Sequence, residues 1–386
     1  MPDIRYQIAV NRVPDNGLTS EVAEIEVTQT IEGPATGRVK FAVDICGEDL
    51  SLMNDARLNP GPNDNELTVI ASIDGAQHVL IHGIVTERQA NFVEGGPGSF
   101  LEVKLTDRRA VMSRQQRTQA HSGTAAEIVT GILNGPTPPG EKKYGFEPDV
   151  VDTPIEYDED SNTLNQTEDD LAFVEKLAGR TGSRFWIDWS VETGLTGFNV
   201  VETAHFKPSP PRPSSNPLGF VPPIQLAPTS APKLTLNTGD GCSTLASFDV
   251  SSNNEAPNET GPVQRVATDG EIDDTDVPGP SDPPLGADPP ATASRSRRIV
   301  SAGSAQEAQL RNQAALNDAS YSTRATAETS VQALNGILSA HQVVTVEGAG
   351  SINSGDYFLA SVTHSVDPSA HKMRLEMMRN AAGANP

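Results

Sequence analysis

Apolar residues recur at every second position near both ends of this chain. Val39, Phe41, Val43 and Ile45 alternate with Lys40, Ala42 and Asp44. Leu67, Val69, Ala71 and Ile73 repeat the pattern, and Leu101, Val103 and Leu105 do so against Glu102, Lys104 and Thr106. Successive side chains on a strand point to opposite faces, so this period predicts half-buried strands with one wet face. Turn-forming residues fill 59–65 and 94–99 between these runs, as in an antiparallel barrel or sandwich. The alternation returns at 357–366 and 372–378, where Met373, Leu375 and Met377 alternate with Arg374 and Glu376. Two tube-like antiparallel β-barrels are expected from strand pattern, with no repeat visible in the sequence itself.

From about Ser113 the period changes to that of helices. Thr124 and Glu127 have capping-box spacing, Ile128, Val129, Ile132 and Leu133 form an apolar stripe, and Gly135 with Pro136 supplies a stop. Thr167 is read as a second N-cap with Asp170 three residues on, Leu171, Val174, Leu177 and Ala178 as the buried face, and Gly182 as the end. A strand over 184–189 completes a small α+β unit, giving a mainly β chain with an α+β insertion. Ser304 and Glu307 are placed to cap a further helix reaching towards Ser320. The expected division is a first barrel over 1–112, the α+β unit over 113–206 and a proline-rich linker over 207–230. A second barrel follows over 231–381, with an acidic Pro/Gly-rich insertion at about 252–295 and a short tail over 382–386.

A chain of 386 residues is long enough for several cores without disulfides. Cys46 and Cys242 lack metal-ligand spacing and read as buried thiols. The amino terminus lacks a basic start and apolar run, so cytoplasmic assembly is expected, and no stretch approaches bilayer length, so no stable membrane insertion. A net charge of -23 argues against specific nucleic-acid binding, which relies on Lys and Arg, while leaving open the passage of DNA past repulsive walls.

Candidate chemistry is weak throughout. Asp158, Asp160 and Asn162 imitate the start of a calcium loop, with Asp169 twelfth, but Thr163 stands where the loop needs glycine. His78 and His82 lie in a strand-like run, where four residues span about 13 Å, too far to share one ion. They read as surface or cross-strand residues, and His364 and His371 as residues flanking a turn. No nucleophile elbow, phosphate loop, zinc-protease or dinucleotide motif is present. Gly348 and Gly350 fit a hairpin turn better than a dinucleotide loop. No catalytic residue, metal or cofactor is assigned.

Particular residues are nevertheless familiar. Residues 164–188 resemble the middle-domain signature of the phage late control protein D family, similar to the tail hub of myophages and the hub part of type VI secretion spike proteins. Asn165, Gln166, Thr167, Glu168, Asp170, Leu171, Phe173, Leu177, Ala178, Gly182, Phe185 and Trp186 occupy the corresponding places. Residues 343–381 resemble the family's closing strands through Gly348, Gly350, Ser354, Gly355, Tyr357, Val362, His364, Arg379 and Asn380.

The resemblance implies a homotrimeric ring in which two barrels per subunit match a hexameric tail tube to a trimeric spike. The implied partners are the tube protein, the spike protein and other baseplate proteins, within a phage tail or contractile injection particle. The acidic insertion departs from the pattern, and no spike barrel or needle follows Asn380, so a separately encoded spike is expected. The competing expectations are a particle-borne cell-wall hydrolase, from the surplus of carboxylates, and a tail adhesion module, from the β-rich ends.

Overall fold

The structure, a computed structural model, describes residues 3–43, 50–61, 64–94, 98–135, 143–158, 163–194, 197–210, 231–237, 239, 243–253, 259–260, 263–266, 272–275, 282–287, 296–297 and 305–383. Both cysteines, Ser304, Asp160 and Asn162 of the calcium-like loop, most of the linker and most of the acidic insertion lie outside these residues.

The amino-terminal part contains β1 (Ile4–Val10), β2 (Val13–Pro14), a short α1 (Asn16–Ser20), β3 (Val22–Thr30), β4 (Thr36–Ala42), β5 (Glu66–Ile73), β6 (Ala76–Asn91) and β7 (Phe100–Asp107). Alternation dictates its core: Val39, Phe41, Leu67, Val69, Leu101 and Val103 are fully buried. Strands β5 and β6 depart from the simple pattern, because Thr68, Ile70 and the run from Leu80 to Val85 are buried on both faces. The middle of the chain supplies part of that cover: β13, defined below, packs against β6, and its Trp189 touches the core.

That middle part comprises β8 (Gln119–His121), β9 (Gly123–Thr124), α2 (Ala125–Asn134), β10 (Glu147–Val150), β11 (Glu156–Tyr157), β12 (Leu164–Gln166), α3 (Asp170–Thr181), β13 (Arg184–Gly194) and β14 (Gly197–Lys207). Helix α2 starts at the Thr124–Glu127 capping box and stops at Gly135, as its sequence dictates. Helix α3 differs from expectation. Its N-cap is Asp169, whose carboxylate accepts from the Ala172 amide at 2.9 Å, while the Thr167 hydroxyl instead donates to Glu168. Both helices pack on the sheet β10-β14-β13 over a core containing Phe146, Phe173, Phe185 and Phe206.

The last part has β15 (Lys233–Thr235), β16 (Leu245–Ser252), the short pieces β17 (Glu259–Thr260), β18 (Val263–Val266), β19 (Ile272–Thr275) and β20 (Ser296–Arg297), then α4 (Ala305–Ser320). It continues with β21 (Thr323–Ser330), α5 (Val331–Leu334), β22 (Val343–Glu347), α6 (Gly350–Asn353), β23 (Gly355–Asp367) and β24 (Ala370–Arg379). Its core is built from Val344, Tyr357, Leu359, Met373, Leu375 and their neighbours. No described helix is long and apolar enough to cross a membrane.

The two β-rich parts share one topology that the sequence conceals. The first runs β3-β4-β7-β6-β5-β1 and the last runs β16-β21-β24-β23-β22-β15, the same order of chain elements. Irregularities recur at matching places: Ala23 in β3 and Ala246 in β16, then Thr86 in β6 and Ala360 in β23, each the residue skipped by its ladder. Bulges fix register, so coincident bulges align the two halves residue by residue. The match relaxes at one end, where β1 is antiparallel to β5 but β15 is parallel to β22.

The expected pair of separate barrels is not what the hydrogen bonding shows. Among the described residues neither half closes its ladder; both belong to one sheet joined where β3 pairs with β23. The reason is the length of β23. Its start pairs with β22 up to Phe358, and the same edge beyond the bulge, from Ser361 to Val366, is free to accept β3.

Candidate functional site

The first motif builds a buried polar knot at the start of α3. Short strand β12 pairs with β8, burying Gln166 but leaving Asn165 exposed. Gln166 donates to Asp170 Oδ1 at 2.8 Å and to the Glu168 carbonyl at 3.1 Å, and its Oε1 faces His121 Nε2 at 2.9 Å. Asp170 also receives the Tyr144 hydroxyl at 2.6 Å and the Lys143 ammonium, and the charged Arg117 lies 3.2 Å from its Oδ1. Burial alone would raise the Asp170 carboxyl, but Lys143, Tyr144 and Gln166 together hold it below the ordinary carboxylate range. Glu168, paired with Lys176 at 2.7 Å, is pulled down to about 2. Leu171 and Phe173 enter the core, and Gly182 ends α3 in the left-handed conformation. Both oxygens of the Asp170 carboxylate are engaged by donors from the fold.

Trp186 sits where the middle part of the chain meets the last. Its ring stacks between His205 of β14 and His341 of the segment before β22. His205 in turn lies 2.7 Å from Asp149 and 3.0 Å from Asp188.

The closing motif forms a second anchor. Gly348 has φ +83°, and a β-carbon there would lie 1.7 Å from the Leu236 carbonyl oxygen, so no other residue fits. Gly350 is also left-handed but faces open space, and a β-carbon at Gly355 would meet the Arg379 guanidinium. Arg379 is buried and donates to the carbonyls of Leu285 at 3.0 Å and Ser354 at 3.1 Å, and to that of Gly383. Its guanidinium also lies over the Tyr357 ring, 5.1 Å from the centroid. Asn380 accepts from the Leu285 amide and donates to the Pro283 carbonyl. The Arg–Asn pair therefore fastens 283–285 of the insertion and the end of the chain to β24.

His364 and His371 do not merely flank a turn. They pair across β23 and β24 at 3.0 Å, and His371 continues to the Tyr6 hydroxyl at 2.9 Å, linking the two halves. Both rings are buried and held neutral, His364 down to about 3 and His371 to about 4.

Two further clusters escaped sequence reasoning. Asp107 and Arg109 form a buried pair; Asp107 accepts from Ala35, and Arg109 donates to the carbonyls of Gly33 and Phe185. Nearby, Arg108 bridges Glu66 and Glu202, Arg12 contacts both, and His82 Nε2 lies 3.6 Å from Glu66. Burial pushes the Glu202 carboxyl up to about 7 against the pull of Arg108 and Arg12, and pushes His82 down to about 3. His82 thus belongs to an interior cross-strand pair with Thr68, whereas His78 is exposed. His82 alone stood out in the sequence; Glu202 carried no signal, because its partners lie some hundred or more positions away.

The solvent face of the joined sheet is polar without being uniformly acidic. Arg38 holds Glu24, Glu26 and Glu102 within 3.2 Å across three strands, and Lys104 pairs with Glu87 at 3.0 Å. At the junction Thr28 meets Thr363 at 3.1 Å. A repulsive wall is thus not what the chain's net charge produces here, because acids and bases alternate across strands.

No family model and no curated protein matches this sequence. Solved structures do. A 43 kDa tail protein of prophage MuSo2 from Shewanella oneidensis is similar at 14% identity and a TM-score of 0.60, covering 98% of this chain and 99% of that one. A tail protein from Neisseria meningitidis MC58 is similar at 13% identity and a TM-score of 0.61, covering 97% of each. An Escherichia coli protein, described as a type VI secretion component with structural similarity to T4 tail proteins, is similar at 14% identity and a TM-score of 0.54. It covers 100% of this chain and 79% of that one. The chain therefore shares the fold of phage tail proteins along essentially its whole length.

Proposed function

We propose that this chain is a structural hub of the baseplate of a contractile phage-tail-like particle, where it joins a hexameric tail tube to a trimeric spike. The observation that carries this reading is the internal repeat. Two six-strand units of one topology in each chain let three chains present six near-equivalent units to one partner and three to another. Each unit would then form part of a tube wall, with the polar face of the joined sheet as its wet surface. The whole-length likeness to tail proteins supports the same reading.

Its mechanism is symmetry matching rather than a reaction. The buried acids are engaged by arginines, lysines and hydroxyls of the fold, as expected of groups that hold parts in fixed relation. The test is co-expression with the tube and spike proteins of the same particle, followed by electron microscopy and mass measurement. A ring of three chains bound at one face by tube and at the other by spike is expected. A chain that assembles with neither would sink the reading.

A further inference from the structure

Leu285 is the only large aliphatic or aromatic residue between Val277 and Ile299, so this stretch of the acidic insertion cannot build a core of its own. It enters one that belongs to the last β-rich part. Leu285 packs against Tyr321, Phe358 and Met378, at the seam between the end of α4, β23 and the end of β24. The two prolines before it hold the backbone ready, because each fixes its own φ and biases the residue ahead of it to an extended form. Little ordering entropy is then lost when the segment seats.

The groove also holds the backbone on either side of that leucine. Asn380, itself buried, donates from Nδ2 to the Pro283 carbonyl at 3.0 Å and accepts the Leu285 amide on Oδ1 at 2.9 Å. A carbonyl and the amide two residues later face the same way on an extended chain, so one carboxamide copies the pairing a neighbouring strand would give. Arg379 Nε donates to the Leu285 carbonyl at 3.0 Å. Upstream, the Asp282 amide and carboxylate meet the Asn317 carboxamide of α4 at 3.3 and 2.8 Å. Downstream, Gly286 is buried against the Arg379 guanidinium, where an added β-carbon would lie 2.7 Å from the carbonyl oxygens of Ala382 and Gly383. Of residues 282–286 only Pro284 is exposed.

Each contact selects a feature of a short peptide: an aspartate, an extended backbone, one leucine and a glycine that nothing larger replaces. None requires that the peptide be joined to this chain. We infer that the groove is a recognition site for extended Asp-Pro-x-Leu-Gly segments, filled here by the insertion as a tethered ligand and yielded to a partner protein that presents such a segment. A short tether keeps its ligand at an effective concentration on the order of millimolar, so a free peptide must approach that level to displace it. A partner held beside the groove in an assembly competes at a similar local concentration. Occupancy therefore depends on what has assembled around the chain, and the insertion acts as an autoinhibitory clasp. This inference uses none of the geometry on which the hub reading rests.

Peptide binding to the full-length chain tests the site. Leu285→Asp combined with Gly286→Val should empty the groove, by setting a charge against Phe358 and a side chain against the chain end. A fluorescein-labelled peptide Ser-Asp-Pro-Pro-Leu-Gly-Ala-Asp, copied from 281–288, should then bind this variant about tenfold more tightly than the unsubstituted chain, as read by anisotropy. Adding Asn380→Ala should weaken that binding by about tenfold, since both of its backbone contacts are lost. The same peptide carrying Leu285→Asp should not bind. Leu285→Ser alone empties the groove more gently, should the double variant fold poorly. Binding that is absent from both variants, equal in the unsubstituted chain, or indifferent to the change in the peptide overturns the recognition site. Capture of the unsubstituted full-length chain more tightly than the peptide would overturn the partner assignment and make the exchange one between copies. Assembly with tube and spike is measured separately, so the hub reading stands or falls on its own test.

Discussion

His341 stacks on Trp186 with ring centroids 4.1 Å apart and planes 11° from parallel. The contact joins the segment before β22 to the middle sheet, across 155 positions of chain. His341 takes a left-handed backbone conformation, φ 68°, and its Nδ1 lies 2.9 Å from the Ser209 hydroxyl. Such stacking is worth about 0.5–1.5 kcal/mol beyond area burial. A double-mutant cycle of Trp186→Leu and His341→Ala, read by urea unfolding, should return a coupling of about that size. Strict additivity would show the stack to be a geometric coincidence.

Arg379 provides a sharper contrast. Its guanidinium reaches several carbonyls at once, and lysine, a single point donor, cannot copy that fork. Arg379→Lys is expected to cost about 2–4 kcal/mol, since each buried carbonyl left without a donor costs about 1–3. Hydrogen exchange should localise the loss to 283–286 and the chain end. Asn380→Ala should release the Leu285 amide while disturbing the end less.

Acid should destabilise the protein well above the carboxylate range. Burial lowers His82, His341 and His364 to about 3 and His371 to about 4, against 6.5 for a free imidazole. These rings are neutral when folded and take up protons when unfolded. Their contribution is therefore complete above about pH 6.5 and is lost as pH falls from there towards 4, by up to about 1.4 kcal/mol per pH unit for each ring. Glu202, raised to about 7, acts oppositely, because its folded form binds a proton first as pH falls. Urea midpoints between pH 7 and 5 should fall, and His364→Gln should remove about one proton from the slope. A flat profile would contradict the buried neutral rings.

The two glycines of the closing motif should not be equivalent. Gly350→Ala meets open space and bears only the left-handed penalty, about 1–2 kcal/mol. Gly348→Ala adds a collision with the Leu236 backbone and should cost distinctly more, as thermal unfolding of the two variants would show. Similar midpoints would mean that the 236–237 turn yields freely.

Local rules made much of the chain legible. Period-two alternation placed the buried faces of β4, β7 and β24, because a strand's facing is set by neighbours one and two residues away. The capping box of α2 was likewise readable, since all its atoms lie within four residues. The start of α3 was not: Thr167 and Asp169 both suit a cap, and burial of Gln166 and Asp170 against Lys143 and Tyr144 selected Asp169.

The sequence by itself thus determined which residues face a core, where the main helices begin or end, and that the chain is mainly β. Only the tertiary structure decided how strands pair. It joined β3 to β23 across more than three hundred residues, gathered Arg12, Glu66 and Arg108 around the buried His82 and Glu202, and revealed two halves of common topology with no visible repeat. Strand pairing is carried chiefly by backbone groups that all residues but proline share in full, so it leaves little mark on side-chain identity. A repeat can consequently persist in the order and bulges of strands after it has vanished from the sequence.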